Sequence, residues 1–144
     1  MMKVADVMTR SVDVANPDAR LDEAAERMRQ LDAGVLPVVD GDKVVGMITD
    51  RDITVRATAE GRDPVTTKVS EIMTSEVVFT YDDEDVKDAA KLMQDHQVRR
   101  LVVLDREKKL VGIVSLGDLA VDTKDDKLKG QVLEDISKPS DAKH

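Results

Sequence analysis

Two short intervals hold the residues of this chain best able to do chemistry. Thr49-Asp50-Arg51-Asp52 and Ser115-Leu116-Gly117-Asp118 each set a hydroxyl three positions ahead of a carboxylate, where an apolar β-type run gives way to a helical one. A hydroxyl among the free backbone N–H groups of a helix start suits a phosphate oxygen. A carboxylate one helical turn on only accepts hydrogen bonds, and it can take two hydroxyl groups at once. The same spacing also describes a helix cap, since Ser, Thr and Asp are the usual N-cap residues. The two roles are compatible. Arg99 and Arg100 precede the second of these runs, and guanidinium forks match phosphate geometry. The plainer reading makes them a solvated pair within an acidic surface.

Other chemistries are poorly supplied. Cysteine is absent, which removes disulfides, thiolate metal sites and thiol nucleophiles. His96 closes a helical run and His144 lies in the tail, so no histidine pair is set to hold a metal. Asp82-Asp83-Glu84-Asp85 lacks the alternating ligands, glycine and distal glutamate of a calcium loop; it reads as the acidic start of a helix. There is no Ser/His/Asp constellation, P-loop or G-x-G-x-x-G after a strand, so a non-enzyme without a metal is expected. With 22 Lys and Arg against 30 Asp and Glu, the net charge is −8. That charge opposes non-specific binding to nucleic acid or anionic membrane. No run approaches the ~18 apolar residues of a membrane span, and Met1-Met2-Lys3-Val4-Ala5-Asp6 carries no apolar signal. A soluble, cytoplasmic protein is the expectation.

A repeat positions these residues. Val4-Ala5-Asp6-Val7-Met8-Thr9 returns after 65 residues as Val69-Ser70-Glu71-Ile72-Met73-Thr74, and Ala24-Ala25 with Met28 returns as Ala89-Ala90 with Met93. After one inserted residue, Gly46-Met47-Ile48-Thr49-Asp50-Arg51-Asp52 returns as Gly112-Ile113-Val114-Ser115-Leu116-Gly117-Asp118. Copies of about 60 residues are near the lower limit for an independent core, so the two are expected to pack as one unit. The boundaries read as 1–62, 63–122 and a polar tail at 123–144, with a weak helix around 126–136 before a frayed end.

In the first copy, residues 4–8 form a short turn and residues 11–14 a strand. A helix starts at Asn16-Pro17-Asp18, carries Leu21, Ala24, Ala25, Met28 and Leu31 on one face, and stops at Gly34. Val35–Val39 is a buried strand, Asp40-Gly41 a tight turn and Val44–Ile48 the returning strand. Thr49 opens a helix that runs to Ala59. The second copy gives a short helix at 69–72, a strand near 77–79, a helix over 83–96, strands at 100–104 and 110–114, and a helix over 116–121.

That order, β-α-β-β-α twice, resembles the CBS-domain pair, or Bateman module, over residues 1 to about 121. The resemblance rests on the Met-Thr openings, the Leu36-Pro37-Val38 strand, and Gly-x-x-Thr/Ser-x-x-Asp twice in register. The stretch from His96 to Val103, followed by Gly112–Asp118, is also similar to a nucleotide-binding repeat of the γ subunit of AMP-activated kinase. The resemblance implies an α+β fold with α/β-type repeats, related by a pseudo-twofold axis. It also implies a regulatory module, needing no cofactor, that binds AMP, ADP or ATP, with NAD or S-adenosylmethionine as further ligands, in clefts between the repeats.

By the family's geometry, one cleft draws Ser11, Val12 and Gly34 from the first repeat and Arg99, Arg100, Ile113, Ser115 and Asp118 from the second. Its mirror draws Thr49 and Asp52 from the first and Thr74, Val77 and Val78 from the second. The aspartates suit ribose hydroxyls better than phosphate, which they would repel. Backbone near Thr9–Asp13 and Gly34–Val35 would meet the adenine edge. Gly34-Val35 stands where the other copy has Arg99-Arg100, so the Asp118 cleft is expected to hold phosphate better. The family also implies a homodimer through helix faces, with Ile53, Ala57 and Leu119 contributing, and an unidentified effector protein as partner. The rival expectation is a ligand-free interaction module with degenerate sites, favoured by the negative charge and the single arginine pair.

Overall fold

The computed structural model describes residues 2–122. They fall into two compact units that cut across the sequence repeats. The first unit is residues 13–77; the second joins the N-terminal segment, through Val12, to the chain from Val78 onward.

In the first unit, helix α2 (Leu21–Leu31) lies against the antiparallel pair β1 (Val35–Asp40) and β2 (Lys43–Thr49). Its core gathers Leu21, Ala24 and Met28 from α2, Leu36, Val38 and Ile48 from the strands, and Val69 and Ile72 from a one-turn helix at Val69–Ile72. The second unit repeats the plan. Helix α5 (Val86–His96) packs with β4 (Arg100–Leu104) and β5 (Leu110–Ser115), and Val4 and Met8 from helix α1 (Val4–Val7) and its end enter the core beside Met93, Leu101, Val103 and Val114. The remaining elements are α3 (Asp50–Asp52, continued as a π-turn over Ile53–Thr58), α4 (the Val69–Ile72 turn), β3 (Phe79–Tyr81) and α6 (Leu116–Asp122). No helix among the described residues is long and apolar enough to cross a membrane.

The α+β repeat is as expected, with local corrections. Asn16-Pro17-Asp18 does not begin α2. Its Asn16 Oδ1 accepts from the Asp18 amide at 2.8 Å, a local turn that competes with helix, and the helix starts at Leu21. It ends at Asp32, in the left-handed region at φ 51°, rather than at Gly34; Gln97 closes α5 in the same way. Likewise α5 begins at Val86, not 83, behind the Asp85 carboxylate that accepts from Lys87 N at 2.9 Å. The helix expected over 49–59 turns π after Asp52, with Ala59 N bonding Thr54 O at 2.9 Å.

The strand expected at 11–14 is reduced to one parallel bridge, Ala15 to Val38, whereas its counterpart β3 pairs with β4 over three residues. Proline accounts for the difference. In the second unit Val102 N donates to Val78 O and Asp82 N to Leu104 O. The first copy has Pro37 and Pro17 at those places, and neither has an N–H to give.

Two residues expected on a dimer face are interior to a single chain. Ala57 is buried in the first core and Leu119 in the second. Val55 is the exposed apolar residue of the π-turn. The helix expected around 126–136 lies outside the described residues.

Candidate functional site

In the second unit, sheet register sets Arg100 opposite Ser115, and Leu116 N bonds Arg99 O at 2.8 Å. The chain therefore turns from β5 into α6 directly beside the arginine pair. There Ser115 N donates to Asp118 Oδ2 at 2.8 Å while Asp118 N donates to Ser115 Oγ at 3.1 Å. This is a reciprocal capping box, and it fixes both side chains at the strand-to-helix junction. Thr9 exchanges two backbone bonds with Ile113, at 2.8 and 3.0 Å, which starts the segment bearing Ser11 and Val12 from β5. Ile113, Ser115 and Asp118 are half-buried; Arg99, Arg100 and Ser11 are exposed. Among the described residues neither guanidinium has an ion-pair partner.

The first unit builds the same junction. Val35 lies opposite Thr49, Asp50 N bonds Gly34 O at 3.0 Å, and Thr49 and Asp52 close a capping box at 3.1 and 2.9 Å. Thr74 exchanges backbone bonds with Met47, both at 2.9 Å, and leads on to half-buried Val77. Ser11, Val12, Val78, Arg99, Arg100, Ile113, Ser115 and Asp118 thus belong to the second unit, and Gly34, Val35, Thr49, Asp52, Thr74 and Val77 to the first.

Both hydroxyl–carboxylate pairs are helix caps, and in each the second carboxylate oxygen takes no bond among the described residues. A cap built this way leaves an acceptor available at the mouth of the helix. Two further residues stand at the first unit's junction. Arg56 donates through Nη1 to Met73 O at 3.2 Å, next to Thr74. Asp50, unremarked in the sequence, holds its carboxylate over Gly34.

The acidic run at 82–85 is accounted for by structure. Arg106 pairs with Asp83 at 2.7 Å and Glu84 at 3.4 Å, lies over the Tyr81 ring at 4.1 Å, and holds the Asp83 carboxyl below its ordinary range by hydrogen bonding. No group of three or more His, Cys, Asp or Glu among the described residues is arranged to hold a metal ion.

The CBS domain family matches twice, at residues 4–57 and 69–122. The chain belongs to the CBS-domain family. It is 44% identical over 137 residues to the CBS domain-containing protein YhcV of Bacillus subtilis, covering 95% of this chain and 96% of that one. Hypoxic Response Protein I, solved with two coordinated zinc ions, superposes with a TM-score of 0.77 at 33% identity, over 85% of this chain and 99% of that one. The CBS domain pair of protein MJ0100, solved in complex with 5-methylthioadenosine and S-adenosyl-L-methionine, gives 0.73 at 30% identity, over 83% and 98%.

Proposed function

We propose that this CBS pair is a regulatory module that binds an adenosyl ligand and passes its occupancy to a partner protein, without catalysing a reaction. The observation that carries the reading is the second unit's junction. A carboxylate with one oxygen free of bonds among the described residues, and two guanidinium groups without an ion-pair partner among them, stand at one strand-to-helix turn, beside the segment that leads to Ser11 and Val12. In this reading Asp118 takes ribose hydroxyls and Arg99 with Arg100 takes phosphate. The adenosyl complex of the MJ0100 pair, similar along 83% of this chain, supports the ligand class. The ligand acts on the partner only by binding two states of the module unequally. A homodimer is part of the proposal, with exposed Val55 rather than buried Ala57 at its face.

Isothermal titration with AMP, ATP, NAD and S-adenosylmethionine tests this. Saturable binding of at least one is expected. Asp118→Asn leaves an oxygen for the cap but removes the charge; charge-assisted bonds contribute about 1.5–3 kcal/mol each, so affinity should fall at least about tenfold. Undiminished affinity would show that Asp118 is not in the site.

One observation favours a second reading, a ligand-free interaction module. Both hydroxyl–carboxylate pairs are already engaged as capping boxes, so their residue types need no ligand to explain them. Silence from all four compounds with a folded protein would establish that reading instead.

A further inference from the structure

Resting on the adenosyl-binding reading, we propose that the two units sort ligands by the charge of the 5′ group. The second unit's site takes adenosyl phosphates. The first unit's site takes an adenosyl compound whose 5′ group is neutral or cationic.

The two junctions correspond residue by residue. Asp50 N bonds Gly34 O in one, and Leu116 N bonds Arg99 O in the other; Val35 faces Thr49 as Arg100 faces Ser115. Gly34 therefore holds the place of Arg99, and Asp50 that of Leu116. The exchange is spatial as well as topological. A Cβ on Gly34 would lie 3.1 Å from Asp50 Oδ2 and 3.4 Å from both Cγ and Oδ1. The volume from which the Arg99 side chain departs in one unit is occupied by a carboxylate in the other. That carboxylate is also held locally, because its Oδ1 accepts from Arg51 N at 2.8 Å.

The remaining charges do not reverse the difference. Asp52 and Asp118 are equivalent and cancel in the comparison. Arg51 and Arg56 both belong to the first unit's helix and add positive charge there, but the Arg56 guanidinium is tied to Met73 O and neither arginine stands at the strand end that Arg99 and Arg100 occupy in the second unit. A phosphate at the first junction would meet the Asp50 carboxylate with no guanidinium fork at positions 34 and 35 to hold it. A thioether meets no such repulsion, and a sulfonium is attracted to the same carboxylate. One chain would then read two ligand pools, one of adenosyl phosphates and one of adenosyl thioether or sulfonium compounds.

Titration of the full chain with AMP, 5′-methylthioadenosine and S-adenosylmethionine, each alone and each with another at saturation, tests the assignment. AMP should leave the binding of 5′-methylthioadenosine intact, because they fill different sites. Arg99→Gln with Arg100→Gln should weaken AMP at least about tenfold and leave the other two unchanged. Asp50→Asn should weaken S-adenosylmethionine more than 5′-methylthioadenosine. Competition between AMP and 5′-methylthioadenosine for one site, or equal sensitivity of all three to the arginine variants, would overturn the sorting while leaving adenosyl binding in place. Binding of none of the three to the folded protein would instead overturn the adenosyl reading on which the sorting rests.

Discussion

At the scale of single residues, the same atoms serve structure and the proposed chemistry, so variants must separate the two. Asp118 accepts from Ser115 N and gives its own N–H to Ser115 Oγ. Asp118→Ala removes half of that box and should cost about 1 kcal/mol of stability, within the 0.5–2 usual for a lost cap. Asp118→Asn should recover most of it in a thermal melt, because an amide oxygen still accepts. An Asn variant as unstable as the Ala variant would mean that the charge, not the hydrogen bond, holds the helix start. Asp83 offers a second test. Its carboxyl is held low chiefly by the hydrogen bond from Arg106 and further by the charge of that guanidinium. A carboxyl depressed in the folded state adds stability above its unfolded pKa and loses it as pH falls through the folded value. Arg106→Gln should therefore raise the Asp83 titration midpoint followed by NMR, and flatten the acid-side dependence of stability. An unmoved midpoint would show that the pair is not formed in solution.

At the scale of elements, the helices were legible because apolar spacing alone marks them. Leu21, Ala24 and Met28 in α2, and Ala89, Ala90 and Met93 in α5, are buried as their 3–4 residue period requires, whereas Ala25 and Leu31, read on the same face of α2, are exposed. Boundaries were less legible, since they follow local hydrogen bonds that periodicity does not see. Asn16 forms a turn where a helix start was expected, and two prolines cancel strand bonds that the second copy makes. The junction residues Thr49, Asp52, Ser115 and Asp118 were legible from type and spacing; the carboxylate over Gly34 was not, because it depends on which strand ends lie side by side. Gly46 and Gly112 show how backbone approach decides a residue. An added Cβ would lie 2.8 Å from Thr74 O in one unit and from Thr9 O in the other, and 2.7 Å from the neighbouring Met Sδ in each. Sulfur on a flexible chain can move, but a carbonyl within a paired backbone cannot move without breaking the Thr9–Ile113 exchange. Gly112→Ala should thus cost about 1–3 kcal/mol, the usual range for overpacking, measured by denaturant unfolding. A neutral result would show that the N-terminal segment is not bound to β5.

At the scale of the whole chain, the repeat in sequence and the unit in space are offset by one small element. Val4 and Met8 are read in the first copy yet complete the core of the second unit, while Val69 and Ile72, read in the second copy, complete the core of the first. Sequence similarity alone does not reveal this, because the two opening turns are near-copies and either would satisfy the apolar pattern of either core. Two fragments of nearly equal length expose the difference. Residues 13–77 keep every residue of the first core, including Val69 and Ile72; residues 1–62 lose those two and carry Val4 and Met8 without the strands that bury them. Both are close to the lower limit for a self-standing core, so the loss of two fully buried side chains, about 1.5–3 kcal/mol each, is large beside total stability. The 13–77 fragment should therefore melt cooperatively by circular dichroism and the 1–62 fragment should not. Equal cooperativity in the two would place the one-turn helices outside the cores, and the unit boundary would then coincide with the repeat boundary after all.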